Sequence, residues 1–386
     1  MISSLYKKIV GTSPPPEPDV PKILCVGVNC LDIVTVCKEF PLEDSEQRCL
    51  EQRWQRGGNA SNTCTVLSLL GSSCEFLGSL SSDQHVIFLE DDMRKHKIDF
   101  SHCPIIDGVG CPMSTVILSI ATGSRTILHF NPNLPELLLK DFEKLNLEDY
   151  SWIHFEGRNV SEVICMMQYV ESYNNSLNTC QSDDSVKLET NRIPITISVE
   201  LEKPKPELVD LLPYADVAFI ARDFAHSKGF DNMSETLRNI GEEAKSGATI
   251  ICAWSEWGAM GRTPDSMIVQ SPSFPPNQII DTLGAGDTFN AATLYYLNMV
   301  KTSFIKKREE EESHKTKETF EESSETDKKR EIKQNTNIES TECSRTEFIN
   351  ANVLQGAINF ACHVAGAKIG LRGYDGLEKI LRDLYK

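Results

Sequence analysis

Six short apolar runs decide the fold class of this 386-residue chain: residues 23–28 (ILCVGV), 74–78, 152–155, 193–199, 215–220 and 249–253. Each is shorter than an ordinary helix and nearly apolar throughout, the pattern of a strand buried on both faces. Such strands need a layer above and a layer below. The covering helices are readable too: 59–70 stops at Gly71, and 236–245 stops at Ser246 and Gly247. Strands alternating with helices predict an α/β fold with a mostly parallel central sheet covered on both sides.

Two regions break that rhythm. Residues 114–120 and 125–130 are β-rich and are joined by Ala121, Thr122, Gly123 and Ser124, which predicts a hairpin. Residues 33–36, leading on to 48–55, are β-prone as well. Together, about 33–55 and 111–131 predict a small antiparallel sheet apart from the main body, a lid. Two further segments read as insertions. Residues 174–192 are polar and aperiodic. Residues 302–345 carry 22 charged residues in 44. Such a stretch buries too little apolar surface to offset its ordering entropy, so disorder is expected, with an exposed charged helix as the alternative. Residues 1–21, with their PPPEP stretch, are expected to form a flexible arm, leaving 22–386 as the folded domain.

Composition removes several functions. The chain has 39 basic and 56 acidic residues, a net charge of −17, which argues against nucleic acid or an anionic membrane as partner. No apolar run approaches the ~20 residues of a membrane-spanning helix, and the start lacks the apolar core of a signal peptide. Thirteen cysteines, an odd number without a CxxC pair, are expected to be free thiols in a reducing compartment, the cytoplasm. Metal-ligand spacings for a zinc site are missing.

The chemistry-bearing motif is Asp281-Thr-Leu-Gly284-Ala285-Gly286-Asp287-Thr-Phe289-Asn290. Phe289, Ala292, Thr293, Tyr296 and Val300 follow at helical spacing, so a glycine-rich loop opens into an amphipathic helix. The free N–H groups and positive end of such a helix suit a phosphate. Asp287 in its first turn is placed as a general base, although an acid facing the helix dipole has a purely structural explanation too. A second motif, Trp54-Gln-Arg-Gly57-Gly58-Asn59-Ala-Ser-Asn62, runs through a Gly-Gly turn into a helix. Asn59 and Asn62 share one face, where two amides can hold sugar hydroxyls or simply cap and solvate. Asp32 follows the first strand, where open α/β sheets bind ligands.

These motifs, in this order, resemble those of the ribokinase-like, or pfkB, carbohydrate kinases. The likeness is nearest to the ketohexokinase branch, through PLEDSEQRCLEQRWQRGGNAS, TGSRTIL, WIHFEGRNVSE, ISVELEKPK and CAWSEWGA. It spans roughly 22–299 and 347–377. The resemblance implies a three-layer α/β/α fold with a β-sheet lid, and ATP-dependent phosphorylation of D-fructose at its 1-hydroxyl to give fructose 1-phosphate and ADP. Residue by residue it implies Asp287 as general base and Gly284, Ala285 and Gly286 as the anion hole. Asp32, Asp44, Gly58, Asn59 and Asn62 would join Asp287 at the sugar. Arg125 would reach the nucleotide phosphates from the lid, and Ser255, Glu256, Trp257 and Gly258 would form a nucleotide loop. Phe289, Cys362 and Ala365 would line the adenine pocket, though helix packing explains these three equally well. Mg2+ with ATP, K+ and a homodimer clasped through the lid are implied in the same way.

One departure concerns the metal. Many members carry Asn-x-x-Glu after a mid-sheet strand, whereas after 215–220 this chain reads Ala221-Arg222-Asp223-Phe224-Ala225. Asn159–Glu162 has the spelling but follows an earlier strand, so the protein ligands of magnesium stay open. Two other readings stand beside the first: the same chemistry on another sugar or a nucleoside, and a silent nucleotide-binding regulator.

Overall fold

The computed structural model describes residues 21–179, 194–323 and 345–384. The strands are β1 (Lys22–Val26), β2 (Cys30–Cys37), β3 (Glu51–Gly57), β4 (Cys74–Leu77), β5 (Leu80–Ser81), β6 (Ile105–Ile106), β7 (Met113–Ser119), β8 (Arg125–Phe130), β9 (Tyr150–Glu156), β10 (Thr196–Leu201), β11 (Val217–Ala221), β12 (Thr249–Ala253), β13 (Ala259–Arg262) and β14 (Ile268–Ser271). The principal helices are α1 (Asn59–Leu69), α2 (Val86–Lys95), α3 (Val160–Thr179), α4 (Met233–Glu243), α5 (Ala285–Ser323), α6 (Ala351–Ile369) and α7 (Leu377–Leu384).

Strand β1 shows how the sequence builds three layers. Ile23 and Cys25 enter one hydrophobic core while Leu24 and Val26 enter the other. Alternate side chains of a strand point to opposite faces, so a run apolar at every position serves both. The first core packs the sheet against α1, α5 and α6, and the second against α3 and α4. The main sheet has the order β14-β13-β12-β11-β10-β9-β1-β4. The six strands from β4 to β12 run parallel, and β13 alone is reversed, pairing antiparallel with both β12 and β14. The expected α/β architecture with a mostly parallel sheet is what the chain forms.

A second sheet has the order β3-β2-β7-β8. It was expected to be antiparallel and is mixed, because its central pair β2–β7 runs parallel. The reason is topological: β2 leaves the main sheet directly after β1, and β7 returns to it through a long crossover that contains α1 and α2. The hairpin β7–β8 is antiparallel as expected.

The helix after the glycine-rich loop is not amphipathic over its first turns. Asp287 to Leu294 are all buried, because α5 lies between the sheet, α1 and α6. The charged stretch expected to be disordered over 302–345 is helical as far as Ser323, as a continuation of α5. Lys301 anchors this helix, donating to the carbonyl of Ser151 at 2.8 Å and to Thr196 Oγ1 at 2.9 Å. The remainder of that stretch, to 344, lies outside the described residues, as does the arm over 1–20. Within the polar insertion expected at 174–192, residues 174–179 finish α3.

Candidate active site

The site gathers where β1, β9, β10 and the start of α5 meet the base of the second sheet. Between β1 and β2 the chain turns through Gly27, Val28 and Asn29, and Val28 N–H donates to Glu156 Oε2 at 3.0 Å. Gly58 has φ +98°, and a Cβ there would fall 2.1 Å from the Val28 carbonyl oxygen. Only glycine lets the β3–α1 corner close so tightly against the β1–β2 turn. That corner sets Asn59 and Asn62 on the first turn of α1, facing the cleft.

Asn62 Nδ2 donates to Asp287 Oδ2 at 2.7 Å. Asn59 Nδ2 donates to Glu202 Oε2 at 2.7 Å and to Glu200 Oε2 at 3.2 Å. Asp32, from β2, is buried beside Gly57. Burial raises the Asp32 carboxyl to about 6, with the Asp281 carboxylate adding to it. Burial, then the charge of Glu202, raises Asp287 to about 7, and the amide of Asn62 partly counters this. Glu200 is pushed well above the carboxylate range by burial, then by Glu202, Asp287 and Glu156. An acid held near neutrality beside a cleft is poised to exchange a proton at ordinary pH.

The loop before α5 is built for close approach. Gly284 has φ +77°, and a Cβ on it would meet the Tyr374 hydroxyl at 2.3 Å. Gly286 has open space at that position. The first-turn N–H groups of a helix have no intrahelical acceptors; that of Ala285 leans to the Thr282 carbonyl at 3.3 Å. Arg125, exposed at the start of β8, donates to Thr282 Oγ1 at 3.1 Å, so the second sheet reaches this loop.

The structure brings Asp32, Gly58, Asn59, Asn62, Gly284, Ala285, Gly286, Asp287 and Arg125 around one cleft. It does not bring Asp44 there. Asp44 is exposed in the β2–β3 connection, with φ +56°, beyond the end of β2 that points away from Asp32. Ser255, Glu256 and Trp257 form an exposed turn after β12, closed by buried Gly258 at φ +77°. Phe289 and Cys362 are buried in the core that packs α5 on α6, and Ala365 packs against its edge. The Asn159–Glu162 spelling is structural here: Asn159 Nδ2 donates to the Leu137 carbonyl at 2.9 Å and Glu162 Oε2 accepts from Leu139 N–H at 2.7 Å.

Sequence reasoning missed Glu156, Glu200, Glu202, Gln55, Arg53 and Lys368. Glu156 closes β9, and Glu200 and Glu202 lie at the carboxyl end of β10. The signal was present: each is an acid at the carboxyl end of an apolar run, the feature that singled out Asp32. The cleft also holds spare hydrogen-bonding capacity. Gln55 Nε2 and Oε1, Asn62 Oδ1 and the Tyr374 hydroxyl are buried and have no partner among the described residues. Buried polar groups are normally satisfied, so such a set suits a ligand rich in hydroxyls.

The model for pfkB family carbohydrate kinases matches residues 20–304. Ketohexokinase from Mus musculus is 38% identical over 356 residues, covering 92% of this chain and 98% of that protein. Among solved structures, the ribokinase from Giardia lamblia superposes with a TM-score of 0.68 at 14% identity, over 95% of this chain and 99% of that one. The Arabidopsis thaliana ribokinase complexed with ribose and ATP gives a TM-score of 0.62 at 13% identity, over 95% and 99%. At those identities the two structures speak for the ribokinase-like fold, while the family match and the mouse relative speak for the activity class: this chain is a sugar kinase of the pfkB family.

Proposed function

We propose that this kinase transfers the γ-phosphoryl group of ATP to the 1-hydroxyl of D-fructose, releasing fructose 1-phosphate and ADP. The observation that carries the mechanism is Asp287: a buried carboxyl at the first turn of α5, held by Asn62 at 2.7 Å and raised to about 7. It takes the proton of the attacking hydroxyl. The N–H groups of Gly284, Ala285 and Gly286, at the positive end of α5, stabilise charge on the phosphoryl group in flight. Arg125 adds a positive charge from the second sheet, which closes as a lid and keeps water from the phosphate. Asp32, Asn59 and Asn62, with the unpartnered amide of Gln55, hold the sugar hydroxyls. The choice of fructose is supported by the mouse ketohexokinase likeness.

ATP is the co-substrate, with the turn at Ser255–Gly258 and the Phe289, Cys362 and Ala365 wall at its nucleotide end. Among the described residues no three His, Cys, Asp or Glu side chains are arranged to hold a metal ion. A magnesium ion arriving with ATP would be held chiefly by phosphate oxygens and water. The second sheet exposes Ile127, Leu128 and Phe130, and Leu50 is exposed just ahead of β3, which supports a homodimer formed through this sheet. No described helix is long and apolar enough to cross a membrane. The described cysteines are all unpaired, which supports a cytoplasmic setting. Asp287→Asn should fold and lose at least ~10²-fold in turnover. A variant within a factor of two of wild type would remove Asp287 from the role of base.

A further inference from the structure

One face of the second sheet is turned to the start of α5, where Val34 and Val116 close on Leu283 as a small apolar cluster. Two residues back along β2 and β7, on the same face, the side chains become polar. The register sets Gln55 of β3 opposite Asp32 of β2, Asp32 opposite Ser114 of β7, and Ser114 opposite His129 of β8. A polar row therefore crosses the whole sheet, and side chains directly opposite share a face and interact. His129 Nδ1 lies 3.2 Å from Ser114 Oγ. Ser114 in turn hydrogen-bonds the Asp32 carboxylate and favours its charged form. Cys30, beside both, donates its thiol to Asp32 Oδ1 at 3.5 Å. Asp32 and Ser114 are buried, while His129 is exposed at the rim. There it stands within the fields of Arg158, Lys203 and Glu156, at the carboxyl ends of β9 and β10.

The geometry points to Ser114 and His129 as an extension of the acceptor site, with His129 a further contact for a sugar hydroxyl and Ser114 the positioning residue that couples it to Asp32. This deepens the proposed reading of the cleft as a sugar site and rests on it. The proton count sets the roles. An ionised Asp32 only accepts, so the Ser114 hydroxyl proton goes to Asp32 and its oxygen accepts from His129 Nδ1–H. Burial, then the charges of Arg158 and Lys203, hold His129 below its ordinary value, so the ring is neutral at ordinary pH. That tautomer leaves His129 Nε2 as an acceptor at the rim, the group that a hydroxyl donor needs. The nearby cations are engaged already: Arg158 is forked onto Glu136 and donates to Glu156 at 3.1 Å, and Lys203 pairs with Glu202 at 2.6 Å. Val116, one step along the same face, shows what packing alone asks of this sheet.

The test measures acceptor affinity by calorimetry, and both KM values, in wild type, Ser114→Ala, His129→Leu and His129→Gln, with folding checked by circular dichroism. His129→Leu should weaken the sugar about tenfold and leave the KM for ATP within about twofold. His129→Gln, whose amide restores a donor and an acceptor, should recover most of that loss. Among fructoses lacking the 3-, 4- or 6-hydroxyl, one should bind wild type about tenfold more weakly and lose nothing further in His129→Leu. Ser114→Ala removes a hydrogen bond to the charged form of Asp32, so that carboxyl rises. The other groups at Asp32, which are Cys30, Gln55 and Asp281, stay in place. On acidification, sugar affinity should then begin to fall at a pH about 0.5–1 unit higher, read in an Asp287→Asn background where the base does not titrate. Wild-type sugar affinity in a folded His129→Leu, or the same deoxy penalties in variant and wild type, overturns the contact. An acid limb that stays put in Ser114→Ala overturns the coupling, and equal losses for sugar and ATP overturn both. Should the His129 variants not fold, the acid limb of Ser114→Ala decides. A wild type that leaves fructose untouched strikes the fructose assignment alone, and the same comparison on the sugar it does phosphorylate decides the row; a wild type that binds no sugar overturns both.

Discussion

Asp287→Asn should yield a protein that is both more stable and nearly inactive. In the folded chain the Asp287 carboxyl rises from 3.8 to about 7, by burial first and the Glu202 charge second. A raised acid disfavours its own ionised form, so its contribution to stability is complete below the unfolded value and is lost as the pH climbs through about 7. A shift of about three units, at about 1.4 kcal/mol each, bounds that loss at ~4 kcal/mol. Glu200 shares the same buried field, and its carboxyl responds when Asp287 is neutral. A gain of about 2–4 kcal/mol at pH 8, shrinking to nothing near pH 4, is therefore expected of the variant. The hydrogen bond from Asn62 survives, since the new amide oxygen accepts it as the carboxylate did. Tm measured from pH 4 to 9 on both proteins, alongside turnover at pH 8, tests each half. Equal stabilities at pH 8, or the same difference at pH 4 and 8, would refute the raised carboxyl.

Two other substitutions separate the ends of the cleft. Asn59→Ala removes the amide shared by Glu200 and Glu202, and a buried polar group left without its partner costs about 1–3 kcal/mol. Sugar affinity in calorimetry should fall by about 5–100-fold with ATP affinity nearly unchanged; equal weakening of both would contradict the placement of Asn59 at the sugar. Arg125→Ala, at an exposed position, should raise the KM for ATP by about tenfold, with thermal stability unchanged. A rise confined to the sugar KM would contradict it.

The layers of the fold were legible because strands buried on both faces write an apolar residue at every position, as 23–26 do. The parallel pairing of β2 with β7 was not, since a local pattern cannot say which strand returns beside which. The burial of α5 on most sides was hidden for a related reason: Thr288, Asn290 and Thr293 are polar, yet they lie inside the core. Within the site, Asp287, Asn59 and Asn62 announced themselves through the glycine turns in front of them. Glu200 and Glu202 had only the weaker sign of acids ending an apolar run, and the register of β10 on β9 sets Glu200 opposite Glu156. Lys368 sits in an apolar helix far along the chain from the Asp281 and Leu283 carbonyls it holds, a separation that no motif spans. Asp44 is the opposite case: a matching motif position does not fix where one chain's β2–β3 connection points, and here it stands exposed away from the cleft.

The central claim is the identity of the product. ADP release from ATP and magnesium should be followed across a panel of ketoses, aldoses, ribose and adenosine, with the phosphorylated position read by NMR. Fructose 1-phosphate as the dominant product is the predicted result. Phosphate on another sugar or another carbon would contradict the fructose assignment, and nucleotide binding without turnover on any acceptor would contradict the mechanism built on Asp287.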